Sequence, residues 1–295
     1  MNRTIIAVIA LALAAVAFPA ASQTPPAATP AATPPPAVRE ITKIAGEVYR
    51  FRNNNHFSVF AVTSAGIIAT DPINAAAATW LKDELKKRWP DKPIKFAVYS
   101  HDHADHISGG EAWDTATFVA HDNAKIAIVG EKRPTAVPHV TFSDKATLEL
   151  GGTVLELIYV GRNHSNNSLV MRFPKEKIIF AVDFIPVKGV AFRDFPDAYV
   201  DEWIESLRRV EAMEFDILAP GHGQLGNKAD VTNFRLYLED LRAQVLAAAR
   251  AGKTLEETKK LVDLSKYKDW GGYEQMSQLN IEGMYRLVQA NRRPN

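Results

Sequence analysis

The sequence predicts an α/β fold, and three observations carry that reading. Short β-like runs alternate with helical stripes along most of the chain. Hydrophobic residues make up 46% and charged residues 23%, close to globular averages, so a sizeable core can be buried. An apolar run, Ile94 to Ser100, delivers the chain directly to a histidine-rich motif, and open α/β sheets set their ligands just beyond the carboxyl ends of strands.

The N-terminal segment, residues 1–22, reads as a secretory signal: Arg3 gives a positive start, Ile5 to Phe18 is apolar, and Ala20 to Ser22 offers a small-residue cleavage site. That apolar run is shorter than the roughly 20 residues a membrane span needs, so the expectation is cleavage near Ser22 and a periplasmic or secreted protein with no stable membrane insertion. Residues 23–37 are mostly Pro, Ala and Thr, a composition that forms an extended spacer rather than a core. The folded domain is expected over residues 38–295, and no repeat of solenoid or propeller period is present.

Within that domain Val48 to Arg52, Ser58 to Thr63 and Gly66 to Thr70 read as strands separated by Asn- and Gly-containing turns. A helix follows over Ala75 to Trp89, with Leu81, Leu85 and Trp89 on one face and Lys82, Asp83, Lys86 and Lys87 on the solvated one. Pro90 to Pro93 ends it before the strand Ile94 to Ser100. Further strands are expected at Thr117 to Ala120, Ala146 to Leu150, Val154 to Tyr159, Ser168 to Phe173, Lys177 to Val182 and Ile217 to Ala219. Helices are expected at Asn123 to Val129, at Asp201 to Ala212 and through the C-terminal stretch. There Phe234, Leu238, Leu241 and Val245 recur at helical spacing, Gly252 stops the helix, and Thr254 with Glu257 forms a capping box for the next one. Ile281, Met284, Tyr285 and Val288 mark one face of the last helix, and these stripes read as core.

Several chemistries are excluded early. The formal charge of +1 falls to zero once Arg3 is removed, so nucleic-acid binding has no electrostatic footprint. With no cysteine there is no disulfide, no thiolate ligand and no Cys nucleophile.

Five of the eight histidines lie in three clusters, each after an expected strand. The first is Ser100-His101-Asp102-His103-Ala104-Asp105-His106, followed by Gly109-Gly110. In an extended segment residues two apart face the same way, so His101 and His103 can grip one ion while Asp105 and His106 turn toward a second position. Imidazole and carboxylate are the ligands zinc accepts when thiolate is absent. The second cluster is Gly161-Arg162-Asn163-His164-Ser165-Asn166-Asn167, and the third is Pro220-Gly221-His222-Gly223. Between them Asp183 ends an apolar strand, a costly place for an unpaired charge that metal coordination would relieve.

These residues, in this order, resemble the metallo-β-lactamase-fold hydrolase superfamily over essentially the whole mature chain. The resemblance implies a four-layer αβ/βα sandwich, two mixed β-sheets flanked by helices with the metals at one edge. It implies two zinc ions per chain, His101, His103 and His164 holding the first and Asp105, His106 and His222 the second, with Asp183 bridging them. Asp71 matches an acidic residue that supports the site without binding metal. The implied enzyme is a hydrolase in which a metal-bound hydroxide attacks a carbonyl carbon of a small-molecule substrate, Asp105 being the catalytic residue that orients the nucleophile and passes a proton to the leaving group.

The resemblance narrows the substrate only partly. One large antibiotic-hydrolysing group places a cysteine on the second metal, and this chain has none. Another shares the His-Asp-His-Ala-Asp-His style of motif but lacks a bridging aspartate, which is typical of members that cleave thioesters, lactones or phosphodiesters. Ester, thioester or lactone cleavage is therefore the leading expectation and β-lactam cleavage the alternative, which export favours. A mononuclear iron oxygenase and a non-catalytic metal-binding protein are third readings, opposed by the complete ligand set. There is no room for the long β-CASP insertion typical of the family's nucleases. His56, Lys188, Arg193 and Tyr199 are candidates to contact substrate, His121 and His139 read as structural, and the sequence does not address oligomeric state.

Overall fold

Seven strands line up in chain order in the first sheet of the computed structural model, which describes residues 36–291. They are β1 (Arg39–Ala45), β2 (Val48–Asn53), β3 (His56–Thr63), β4 (Gly66–Thr70), β5 (Ile94–Val98), β6 (Thr117–His121) and β7 (Val140–Phe142). The first four pair antiparallel through short turns, and the pairing becomes parallel from β4 to β7. Helix α1 (Ala75–Arg88) makes the first parallel crossover, α2 (Ala104–Ile107) is a single turn after β5, and α3 (Asp122–Gly130) connects β6 to β7. A parallel pair cannot be joined by a tight turn, so helices must intervene there.

The second sheet contains five strands in the order β12-β11-β10-β9-β8. These are β8 (Lys145–Leu150), β9 (Thr153–Tyr159), β10 (Leu169–Phe173), β11 (Ile178–Phe180) and β12 (Ile217–Ala219), antiparallel except for β11 with β12. Helix α4 (Val200–Glu211) makes that parallel crossover, followed by α5 (Lys228–Arg250), α6 (Leu255–Leu261) and α7 (Tyr273–Asn291).

Alternation along the strands sorts the core into three sheets of apolar side chains, and these fix the layer order. Val59, Ile68, Val98 and Val119 of the first sheet meet Leu155, Leu157, Met171 and Phe180 of the second. The opposite face of the first sheet, with Phe51, Phe60 and Ala97, packs on Leu81 and Leu85 of α1. The opposite face of the second, with Val170 and Ile179, packs on Trp203 and Leu207 of α4, Phe234 and Leu238 of α5 and Ile281 of α7. The result is the expected αβ/βα sandwich of two mixed sheets between helical layers. Strands buried on both faces read as continuous apolar runs, which is why β4 shows no alternation.

Most expected elements recur within a residue or two, and the capping box of Thr254 and Glu257 is present. The strands without a sequence signal are β1 and β7, the two edges of the first sheet: β1 is largely polar and half-exposed, and β7 is only three residues long. Strand β5 ends at Val98, short of the expected Ser100: the Tyr99 amide still donates to the Val119 carbonyl of β6 (3.0 Å), but the Ser100 amide turns to the Asp71 carboxylate (2.8 Å). The segment 1–22 expected to be a secretory signal, and the expected spacer up to residue 35, lie outside the described residues. No helix among the described residues is long and apolar enough to cross a membrane.

Candidate metal centre

The carboxyl ends of strands from both sheets meet at one edge of the sandwich, and each brings one donor or a small set of them. The connection after β5 carries His101, His103, Asp105 and His106; those after β9, β11 and β12 carry His164, Asp183 and His222. His103 takes the N-cap position of α2, and that single helical turn rotates Asp105 and His106 away from the direction of His101 and His103. Extended backbone followed by one helical turn is how six consecutive residues supply two positions.

Two groups of donors result. His101, His103, His164 and Asp183 form the first and Asp105, His106, Asp183 and His222 the second, the donor atoms in each lying within 4.8 Å of one another. In the first, His103 Nδ1 lies 3.1 Å from His164 Nε2, and His101 Nε2 lies 3.5 Å from Asp183 Oδ2. In the second, His106 Nε2 is 3.2 Å from His222 Nε2, and His222 Nε2 is 3.3 Å from Asp183 Oδ1. Asp183 Oδ2 also sits 3.0 Å from His106 Nε2, so this carboxylate faces both groups.

Two features show that these side chains fit a metal pair. Ligand atoms around a tetrahedral zinc with bonds of about 2.0–2.1 Å lie roughly 3.3 Å apart, close to the spacings just given. His101 Nε2 and Asp183 Oδ1 are also buried without a hydrogen-bond partner among the described residues, a cost that a shared cation removes.

The outer nitrogen of three of these rings is hydrogen-bonded to another group, and that of a fourth, His106, faces the Asp71 carboxylate without a hydrogen bond among the described residues. Ser100 Oγ lies 2.9 Å from His101 Nδ1, Asp197 Oδ2 3.1 Å from His103 Nε2, Asp71 Oδ2 3.5 Å from His106 Nδ1 and the Asn55 carbonyl 3.0 Å from His222 Nδ1. Such contacts orient the ring and select the tautomer that presents its other nitrogen inward. Asp71 is wholly buried and has a left-handed backbone (φ 32°), held by the bond from Ser100. Further out, the buried Arg50 donates to the Pro220 and Gly223 carbonyls (3.0 and 2.7 Å) and so frames the turn that carries His222. Asp102 and Asn167 exchange two bonds, the Asp102 amide to Asn167 Oδ1 (3.0 Å) and Asn167 Nδ2 to Asp102 Oδ1 (2.8 Å), tying the His101–His103 segment to the loop of His164.

The electrostatics differ between the groups. Burial, joined by the neighbouring histidines, pushes His164 down to about 3 even though Asp183 opposes it, and burial lowers His103 as well. Burial also acts against the charged form of His106, yet Asp183 and Asp71 overcome it and hold this ring well above its ordinary range. Burial opposes ionisation of Asp183, but His106 and the close approach of the His101, His106 and His222 rings keep its carboxyl well below the usual carboxylate range.

Of the residues expected to touch substrate, His56 lies beside the second group: its Nε2 is 3.2 Å from Asp105 Oδ2 and its ring packs against His222. Tyr199 lines a cleft of about 460 Å³ next to the first group, together with His103, Arg133, Asn166 and Asp197. Lys188 and Arg193 do not line that cleft; the backbone carbonyl of each is engaged by the C-terminal region. His121 caps α3 and His139 accepts the Phe118 amide, both structural. Asp197, Arg50 and the pairing of Asp102 with Asn167 had no signal in the sequence. Asp102 lies inside the motif and could have been suspected, but the other two act only through tertiary contacts.

The metallo-beta-lactamase superfamily model matches residues 71–222, from Asp71 to His222. Among curated relatives, the alpha subunit of a 2,4-dinitroanisole O-demethylase from Nocardioides sp. (strain JS1661) is 27% identical over 72% of this chain and 64% of its own length. A metallo-beta-lactamase type 2 from Bacillus cereus is 26% identical over 56% of this chain and 66% of its own length. The chain thus spans less than two thirds of these relatives. Among solved structures, a metallo-beta-lactamase from Pontibacter korlensis aligns over 68% of this chain and 99% of its own at 21% identity, with a TM-score of 0.62. One from Hirschia baltica aligns over 67% and 96% at 18% identity, with a TM-score of 0.59. These likenesses establish the fold, and the family match covers about half of the chain and every donor of both groups; the chain belongs to the metallo-β-lactamase superfamily.

Proposed function

We propose that this protein is an exported dinuclear zinc hydrolase that cleaves an acyl bond of an ester, thioester or lactone. The observation that carries the reading is Asp183, a nearly buried carboxylate facing four histidines and belonging to both donor groups. A shared carboxylate lowers the repulsion between two cations and sets their spacing, so the arrangement favours a metal pair over one ion. Two bound zinc ions acidify a water and polarise the bond to be cleaved.

His101, His103 and His164, with Asp183, would hold the first ion, and Asp105, His106 and His222, with Asp183, the second. Asp105 is the half-exposed member, so its Oδ2 faces both the donor group and the open side from which substrate arrives. It is the group placed to hold a proton from the nucleophile and return it to the leaving oxygen, sulfur or nitrogen. His56, hydrogen-bonded to Asp105, fixes the direction of that carboxylate. Tyr199 and Asn166 in the adjoining cleft offer neutral polar contacts to the acyl portion.

The second reading, β-lactam cleavage, draws support from relatives named metallo-beta-lactamase type 2 at 25–26% identity. The test is turnover of a cephalosporin, a lactone, a thioester, a phosphodiester and 2,4-dinitroanisole by purified protein, with and without chelator. Chelator-sensitive turnover of the lactone or thioester above the cephalosporin is expected; a dominant cephalosporin or anisole activity overturns the acyl-ester reading. For export, protein recovered from the source cell should begin near Gln23, and an intact Met1 on cytoplasmic protein contradicts it.

A further inference from the structure

The connection 181–199 between β11 and α4 starts beside Asp183 and ends with Asp197 against His103. It is long for a segment without regular structure, and three of its non-glycine residues, Lys188, Arg193 and Phe195, have positive φ (48°, 50° and 56°). A backbone in that region persists only when its surroundings hold it there. The Asp197 side chain is 59% exposed, so its own packing does not place it.

The start of the connection is tied by the Gly221 amide to the Val182 carbonyl and by Trp203 to the Phe184 carbonyl, and its last residue, Tyr199, by its amide to the Asn163 carbonyl (2.9 Å). The stretch between, 188–195, is held by the C-terminal region, beyond the 71–222 stretch shared with the family. Gly271, just before α7, bonds Lys188 and Val190 in both directions (2.8 and 3.1 Å). The wholly buried Asn280 donates to the Ala191 and Arg193 carbonyls and accepts from Tyr237 Oη. One turn on, Gly283 lets the helix touch the connection: a Cβ there would lie 2.1 Å from the Asp194 carbonyl oxygen. Arg286 then donates to the Asp194 carboxylate (2.7 Å), the Asp194 carbonyl (2.6 Å) and the Phe195 carbonyl (3.3 Å). Phe195 is two residues from Asp197.

We propose that α7, through Asn280, Gly283 and Arg286, is the device that positions Asp197 on the outer nitrogen of His103 and so tunes the first donor group and the cleft wall beside it. This rests on the metal-pair reading for the identity of the ion. Arg286 and its neighbours are positioning residues, since none of them touches the donor groups. Partners of a ligating histidine of this kind change metal affinity by about 10–100-fold when lost.

The test separates the two groups by starting from the full chain carrying His222→Ala, which leaves the first group complete, or His101→Ala, which leaves the second without that loss. Adding Arg286→Ala to the first should weaken zinc binding, read by competition with a chelating dye, by about tenfold or more, and Arg286→Lys should restore part of it. Adding it to the second should change affinity by less than about twofold, because neither Asp105, His106 nor His222 is reached through Asp197. In otherwise wild-type protein Arg286→Ala should also speed amide exchange across residues 190–199 but not across 217–223. Equal weakening in both backgrounds, or none in either, overturns the proposal. Should the wild-type chain bind no zinc, the metal-pair reading fails by itself, and unchanged exchange at 190–199 in Arg286→Ala overturns the role of α7 independently.

Discussion

Single side chains here divide into those ready for a cation and those that must first lose a proton. His164 and His103, lowered by burial, are neutral at pH 7, whereas His106 is held in its charged form by Asp183 and Asp71. A metal needs the neutral ring, so filling the second group releases a proton that filling the first does not. Zinc titration at pH 7 in two buffers of different ionisation heat should therefore show more protons released with the second equivalent, and second-site affinity should rise with pH until His106 is neutral. Equal release in both steps contradicts this. The same reasoning gives the outcomes for deletion: His101→Ala and His222→Ala each abolish turnover, and His222→Ala retains about one tightly held ion. Asp183→Asn keeps the volume but removes the charge both groups share, so it should lower second-site occupancy more than first. Full activity with two tightly bound ions in that variant removes the bridging role.

At the scale of elements, the site depends on turns that approach one another more closely than side chains allow. A Cβ on Gly221 would meet Val182 Cγ1 at 2.4 Å, and Asp183 Oδ1 and His106 Cε1 at 2.8 Å each. Gly221 thus lets the turn after β12 pass against the strand end that carries Asp183. Gly221→Ala should push His106 and Asp183 apart, weakening the second ion at least tenfold while the first is affected less; competition with a chelating dye reads both. The β2–β3 hairpin is the other support of that turn, through Arg50, the Asn55 carbonyl and the Phe57 amide, which donates to the Gly221 carbonyl (2.8 Å). Arg50 is buried over the Phe57 ring, so truncating it removes packing as well as two hydrogen bonds.

Across the whole molecule, the donors span both sheets: four come from the connection after β5 in the first, and three from connections in the second. Ions held by these donors would therefore join the two halves of the sandwich at one edge, adding to the apolar layer between them. At a free zinc concentration about a thousandfold above Kd the linkage contributes about 4 kcal/mol, which for a domain of this size corresponds to a rise in Tm on the order of ten degrees. Calorimetry with and without a chelator measures this, and an unchanged Tm shows that the ions do not couple the sheets. Replacing Leu157, buried between the sheets, by Ala should cost about 2–5 kcal/mol whether or not metal is present, because that cost arises from a cavity.

Elements with strong periodicity, and donors grouped near one another along the chain, are legible before any folding is considered. Apolar alternation in β8, the apolar run of β3, the capping box at Thr254 and the His101–His106 run are local patterns, and local physics enforces them wherever the chain is placed. Asp183 was legible because a charge at the end of an apolar strand demands a partner. Tertiary structure alone decided which groups hold those donors from behind. Asp197, Arg50 and Arg286 are ordinary charged residues in their own segments, and they acquire a role only where a distant loop or helix is folded against them. Edge strands β1 and β7 escaped notice for a related reason: pairing with a neighbour supplies what the polar, half-exposed sequence of β1 and the three residues of β7 do not announce.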